Sequence, residues 1–326
     1  CIVSFASDMA LPTVNYVASE LGLVGNSMVT TLISTDKFEM RNALSKAEVP
    51  CPRFELFTAP TFQTNEDWQF PVIVKPTDRS GSRGVTKVTS AEGVDAAIRK
   101  ALENSLAGRA IVEEFIVGRE FSVEILSCRG THYPLAVTDK VTTGPPFFVE
   151  TEHHQPAEIS EEVRSNIFAI AMNALDVLGI RSGASHTEVF LTATGDIRIV
   201  EVAGRMGGEL IGSHMVPLST GFDFVRAVLE VALGDFDRSN YVTDLSSLPA
   251  GVYYVLPPAG RITAIENHHA QWPDIHMAMP IMKEGDVIDE VIDGAGKRAG
   301  ILVYSGATAR PIAEPNEVLK FNVEDV

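Results

Sequence analysis

Apolar positions change period along the chain, and each change marks a predicted element. In residues 161–178, Val163, Ile167, Ile170, Ala171, Ala174 and Leu178 fall on one stripe, which predicts an amphipathic helix. GFDFVRAVLEVALG predicts another over 221–234. TDKFEMRNALSKA predicts a helix over 35–47, with Thr35 or Asp36 as N-cap, and the two prolines of VPCPRF end it. Shorter apolar runs predict strands at CIVSF, PVIVKP, VTKVTS, AIVEEFI and EFSVEILS, with a helix over AEGVDAAIRKALENS. A helix is also expected around Leu11–Leu21, followed by a turn at GLVGNS. The Gly, Pro and polar content of 135–160 predicts a long loop or lid. Residues 250–326 alternate short apolar strands with Pro/Gly turns and predict a small β-rich extension.

The segment HTEVFLTATGDIRIVEVAGRMGG, 186–208, reads as a hairpin turning at Thr194-Gly195. That turn sets Thr192 opposite Ile197, Phe190 opposite Ile199, and Glu188 opposite Glu201. Two facing carboxylates repel unless they are solvated or share a cation. Hard carboxylate oxygens suit Mg²⁺, which usually arrives with substrate phosphates. Arg205 and the permissive pair Gly207-Gly208 follow directly. The same register places Ala203, which cannot ligate, opposite His186.

Composition narrows the class. The 326 residues exceed one ordinary core, so two or three packed units are expected. A formal net charge of −17 argues against a broad nucleic-acid or membrane surface, but leaves room for a local cation cluster around an anionic ligand. Cys1, Cys51 and Cys128 form neither a metal-ligand pattern nor a disulfide framework, which favours a cytoplasmic setting. No apolar run approaches the length of a membrane span. The chain opens inside a strand-like run, so an incomplete N-terminal unit is expected.

A cation cluster is present. RSGSRGV, 79–85, follows the strand ending in Lys75, and its Gly and Ser residues let backbone N–H groups approach an anion. It lacks the Gly-Lys-Ser/Thr of a Walker loop, and a strand rather than a helix follows it. Lys75 ends an apolar strand, where it must pair or point into a cleft. Lys37 opens a helix, where the dipole disfavours it. In IVEEFIVGREFSVE, Glu113 and Glu114 end one strand, and period two puts Glu120, Ser122 and Glu124 on one face of the next.

Taken in order, STDKFEMRNAL, FPVIVKP, SGSRGV, IVEEFIVGREFSVE, HTEVFLT and IVEVAGRMGG resemble the ATP-grasp superfamily from about Asp36 to Gly234. The resemblance implies an α/β fold in which two α+β lobes clamp ATP. A partial N-terminal α/β domain would cover 1–35, the small lobe 36–115, the large lobe 116–245 and the β-rich extension 246–326. By the same resemblance, Lys37 and Lys75 contact ATP, and Ser80, Gly81, Ser82, Gly84 and Val85 close over its phosphates. Glu113 or Glu114, with Phe115 and Ile116, would read adenine, and Glu120 the ribose. Glu188 and Glu201 would hold Mg²⁺, two ions in the family pattern. Arg205 would steady the transferring phosphoryl group, making Arg205, Glu201 and Lys75 the catalytic set. Ala203 departs from the Glu-x-Asn pattern and cannot ligate, which implies that water completes the second ion's shell or that metal binding is weakened.

Within the superfamily, EVAGRMGGELIGSHM and FFVETEHHQP look most like L-amino-acid ligases, with His153, His154, Gly207, Gly208 and His214 as substrate-pocket positions. The implied activity is an ATP-dependent carboxylate–amine ligase working through an acyl phosphate on small-molecule substrates, with no nucleic acid or membrane partner and with room for a homodimer. The alternatives are a bicarbonate-dependent carboxylase of biotin-carboxylase type and a non-catalytic ATP-binding protein.

Overall fold

The computed structural model describes residues 1–64, 67–81, 83–145, 147–241 and 248–325. Three helices come first: α1 (Leu11–Glu20), α2 (Met28–Thr35) and α3 (Lys37–Lys46). Asp36 caps α3, its Oδ1 accepting from Phe38 N–H and Glu39 N–H. Two features differ from the sequence reading here. CIVSF is not a strand: its described main chain contacts the rest of the molecule through Phe5 C=O, which accepts from Met206 N–H. A strand needs a partner edge, and none of the described strands pairs with this segment. The unanticipated α2 is started by Ser27, whose Oγ accepts from Thr30 N–H.

The small lobe holds β1 (Phe54–Phe57), β2 (Val72–Pro76), β3 (Thr86–Val88), α4 (Val94–Asn104) and β4 (Ala110–Glu114). Its antiparallel sheet runs β1-β4-β2-β3, and α4 packs Val94, Ala97, Ile98 and Ala101 against it. The Gly-rich loop joins β2 to β3, so a strand does follow it.

The large lobe contains β5 (Gly118–Cys128), β6 (Thr131–Thr142), β7 (Glu150–Gln155), α5 (Glu161–Leu178), β8 (Gly183–Thr192) and β9 (Ile197–Ala203). A turn of π-helix at Ile211–Met215 leads into α6 (Val216–Thr220) and α7 (Phe224–Leu233). Then come β10 (Ala250–Val255), β11 (Gly260–Asn267), β12 (Ile275–Pro280), β13 (Val287–Ile288), β14 (Gly300–Ser305) and β15 (Leu319–Glu324). An eight-stranded sheet runs β12-β14-β10-β7-β6-β5-β8-β9, and a three-stranded sheet β13-β11-β15 sits beside it. Three strands from the C-terminal stretch thus extend the large sheet. The stripe of α5 buries Ile167, Ala171, Ala174 and Leu178 against Phe121, Val123, Val189 and Val202.

Most of the predicted lid is sheet. β6 pairs with both β5 and β7, so the predicted lid contributes two strands to the sheet. Its polar residues misled because the sheet's inner face is itself polar: Thr138, Asp139, His153 and Gln155 are all buried there or beside it.

The hairpin register also differs in part. The turn spans three residues between Thr192 and Asp196, with Gly195 at φ +87°. Val189 therefore faces Ile199, and Phe190 faces Arg198. A β-bulge then shifts the register by one, and Glu188 does face Glu201, with His186 opposite Ala203.

Candidate active site

A cleft of about 490 Å³ lies between the small lobe and the inner face of the large sheet. From the small lobe it receives Lys37 at the start of α3, Lys75 on β2, and Ser80, Gly81 and Val85 of the Gly-rich loop. Glu113 and Glu114 on β4, then Phe115 and Ile116, form the back of the cleft. Glu120, Glu188, Glu201 and Arg205 line it from the large lobe. Gly84 packs instead against Pro76 and Asn104, where a Cβ would come within 2.9 Å of Pro76 Cγ. Ser82 lies outside the described residues.

The charges meet in pairs. Lys37 Nζ is 3.1 Å from Glu201 Oε2 and donates to Arg79 C=O at 2.7 Å. Burial disfavours the ammonium, but Glu201 outweighs it and holds the Lys37 pKa above its ordinary value. Lys75 Nζ sits 2.6 Å from Glu113 Oε2, and Arg41 Nε 2.9 Å from Glu113 Oε1. Burial, with Arg41 and Lys37 nearby, pulls Lys75 below its usual value. Burial would raise Glu113, but the two cations hold it below the carboxylate range. At 2 % exposure, Glu113 is committed to these partners, while Glu114 is exposed beside it.

Sequence reasoning missed Lys140. Its ammonium contacts Glu120 Oε1 at 2.5 Å, Glu188 Oε1 at 2.9 Å and Glu150 Oε1 at 3.7 Å. Burial opposes its charge, yet the three carboxylates push its pKa well above normal. Burial likewise opposes ionisation of Glu188, and Lys140 and His186 hold its carboxyl well below the usual range. A signal existed: Thr138, Lys140 and Thr142 recur at period two within the segment read as a lid.

Behind Glu188 runs a second buried chain. Glu124 Oε2 accepts from Gly207 N–H at 2.8 Å, and Glu124 Oε1 meets His186 Nδ1 at 2.5 Å. Burial works against the imidazolium, but Glu124 lifts the His186 pKa to about 9. Arg205 is gripped by Asp8 through Nε and Nη2, both at 2.9 Å, so a residue near the start of the chain orients it.

The predicted substrate residues fall outside the cleft lining. His153 Nε2 meets Glu209 Oε2 at 2.9 Å, and Arg298 contacts both Glu209 and Glu150. His154 faces the other side of β7 and bonds Tyr304 Oη and Glu152. His214 lies in the π-helical turn beside Ser213. Gly207 is wedged against Glu124, whereas Gly208 has open space at its Cβ position.

Glu188 and Glu201 supply two hard-oxygen donors on facing positions, a set that fits Mg²⁺, while Ala203 adds none. Among the described residues no group of three or more His, Cys, Asp or Glu side chains is arranged to hold a metal ion by itself. Lys140 and Lys37 contact the two glutamates instead. Further oxygens would have to come from solvent or from a phosphate substrate. No helix among the described residues is long and apolar enough to cross a membrane.

Comparison with known proteins agrees with this geometry. A family described as an ATP-grasp domain matches residues 68–213. Alanine–anticapsin ligase of Bacillus subtilis (strain 168) is 29% identical over 243 residues, 65% of this chain and 49% of that protein. D-alanine–D-alanine ligase of Pseudarthrobacter chlorophenolicus is 29% identical over 205 residues, 56% of this chain and 53% of that one. The chain spans about half the length of these curated relatives. The crystal structure of an L-amino acid ligase from Bacillus licheniformis superposes with a TM-score of 0.87 at 26% identity, covering 99% of this chain and 81% of the other. Residues 68–213 therefore match an ATP-grasp domain, and the chain has the fold of that L-amino acid ligase.

Proposed function

We propose that this protein is an ATP-dependent carboxylate–amine ligase that joins two small substrates, amino acids in the first instance, through an acyl phosphate. The observation that carries this reading is one cleft in which Lys37 and Lys75 face Glu188, Glu201 and Arg205. That is the charge pattern required to hold a polyphosphate and a divalent cation together. The similarity to three ligases that act on amino acids supports the substrate class.

In this reading residues 36–115 and 116–245 act as the two lobes, with 1–35 and 246–326 attached to them. Lys37, Lys75 and the backbone at Ser80, Gly81 and Val85 bind the phosphates. Phe115, Ile116 and the apolar wall of Ile73 and Phe190 take the adenine, with Glu114 in place to accept from its amine. Glu120, tied to Lys140, is set to bind the ribose. Glu188 and Glu201 hold Mg²⁺, which when bound neutralises phosphate charge. The substrate carboxylate attacks the γ-phosphate, giving an acyl phosphate and ADP. The amine then attacks the acyl carbon and phosphate leaves. Arg205, oriented by Asp8, faces the negative charge that develops in both steps. The protein's main contribution is positioning and charge neutralisation. The free cysteines are compatible with a cytoplasmic enzyme.

The test is a phosphate-release screen of paired amino acids with Mg-ATP, with products identified by mass spectrometry. A ligase needs both partners for full release. Release driven by bicarbonate alone would replace this reading with a carboxylase, and ATP binding without release under every pair would replace it with a non-catalytic binder.

A further inference from the structure

The two lobes are joined along the free edge of β9, the last strand of its sheet. The outward amides and carbonyls of an edge strand have no strand partner. Here α3 and the residues after it supply partners. Ile199 N–H donates to Pro50 C=O at 2.9 Å, and Val202 N–H lies 3.3 Å from Met40 Sδ. Between them, Val200 C=O accepts from Arg41 Nη2 at 2.5 Å. Arg41 is fully buried, and its Nε also lies 2.9 Å from Glu113 Oε1, the carboxylate that grips Lys75.

Val200 is the residue skipped when the register shifts between Glu188 and Val189. This shift decides where Glu201 points. Ile197 and Ile199 face the core under α5, and strict alternation from them would send Glu201 into that core as well. The extra residue reverses the parity: Val202 returns to the core, and Glu201 turns to the cleft. One guanidinium therefore touches both the bulge that aims Glu201 and the carboxylate that aims Lys75.

We infer that Arg41 is a positioning residue that locks the β9 bulge to the Glu113–Lys75 pair, so that a metal carboxylate and a phosphate-binding lysine are presented in one register. The inference rests on the proposed function for the identity of the ligand, Mg-ATP. A lysine at this position does not reproduce it, because Arg41 reaches Glu113 from Nε and Val200 C=O from Nη2, two nitrogens held apart in one plane, whereas an ammonium is a single point.

The test compares Arg41→Lys and Arg41→Met with Leu44→Ala, a fully buried cavity control on the same helix. Circular dichroism first establishes the temperature at which each variant is folded. Mn²⁺ is then titrated by electron paramagnetic resonance with ATP present, and KM for ATP is separated from kcat for phosphate release. Loss of an outer partner that orients a metal ligand typically costs about 10–100-fold in metal affinity. Arg41→Met is expected to fall in that range and Arg41→Lys below it, with KM for ATP rising in both and Leu44→Ala staying within about twofold of wild type. If Arg41→Met does not fold, Arg41→Lys and the control carry the comparison. Folded Arg41 variants with wild-type Mn²⁺ and ATP affinities would overturn the inference, as would equal losses in Leu44→Ala or a wild-type protein that binds no Mn²⁺-ATP. A clear Arg41 effect on Mn²⁺-ATP binding, without amine-dependent phosphate release in wild type, would sustain the inference and remove the ligase assignment.

Discussion

Replacing Glu113 by glutamine removes the one negative charge that Lys75 and Arg41 share, at 2.6 and 2.9 Å. The shape is kept, so the effect isolates the charge. Removing one partner of a buried ion pair costs about 3–5 kcal/mol, because the other is left uncompensated. Lys75 can lose its proton, and its pKa is already lowered by burial and by its cationic neighbours. In the variant that pKa falls further. Above about pH 10.4, the ordinary lysine value, Lys75 is neutral in both folded and unfolded chains and contributes no penalty. As pH falls below that, the unfolded chain takes up the proton first, and the penalty grows until the folded lysine is protonated too. The loss of stability is therefore expected to be about 3–5 kcal/mol at acidic to neutral pH and to shrink as pH rises towards 9. Urea unfolding followed through Trp68, which sits in the small-lobe core, measures it. A loss below about 1 kcal/mol at pH 6, or one that grows with pH, would refute the assignment of Glu113 as the shared counter-ion.

Three further perturbations test other parts of the site. Glu201→Ala should abolish ATP turnover while far-UV circular dichroism still shows a folded chain, with a lowered melting temperature because buried Lys37 loses its partner; near-normal phosphate release would remove Glu201 from the metal role. Gly207→Ala should cost about 1–3 kcal/mol, since its Cβ would lie 2.5 Å from Glu124 Oε1 and 2.9 Å from His186 Nδ1; an unchanged melting temperature would show that the Glu124–His186 chain is not tightly held. Glu209 is opposed by burial but lowered from 4.5 to about 2 by His153 and Arg298, so its contribution is present above pH 4.5 and lost as pH falls through about 2. The stability gap between wild type and Glu209→Gln should be about 1–3 kcal/mol at pH 6, after screening of the partly exposed carboxylate, and should narrow steadily below pH 4.5; a gap independent of pH would rule the linkage out.

Local chemistry made much of the protein legible in advance. The stripe of α5, the cap at Asp36, the Gly-rich loop and the existence of the β8–β9 hairpin all depend on neighbours in sequence or across one short turn. The polar strands β6 and β7 did not read as strands, because the face carrying Thr138, His153 and Gln155 is buried although it is polar rather than hydrocarbon. Glu113 looked like a base-reading acceptor until the fold brought Arg41 and Lys75 to it.

Even the Glu188–Glu201 pairing stands on more than its own hairpin. The hairpin pattern places two carboxylates close to opposite each other. The direction of Glu201 into the cleft comes from the folded chain. Side-chain direction along a strand is a parity, and a three-residue turn alone would have set that parity the other way. The bulge that restores it is held by Arg41, 159 residues away along the chain, a contact no local pattern encodes.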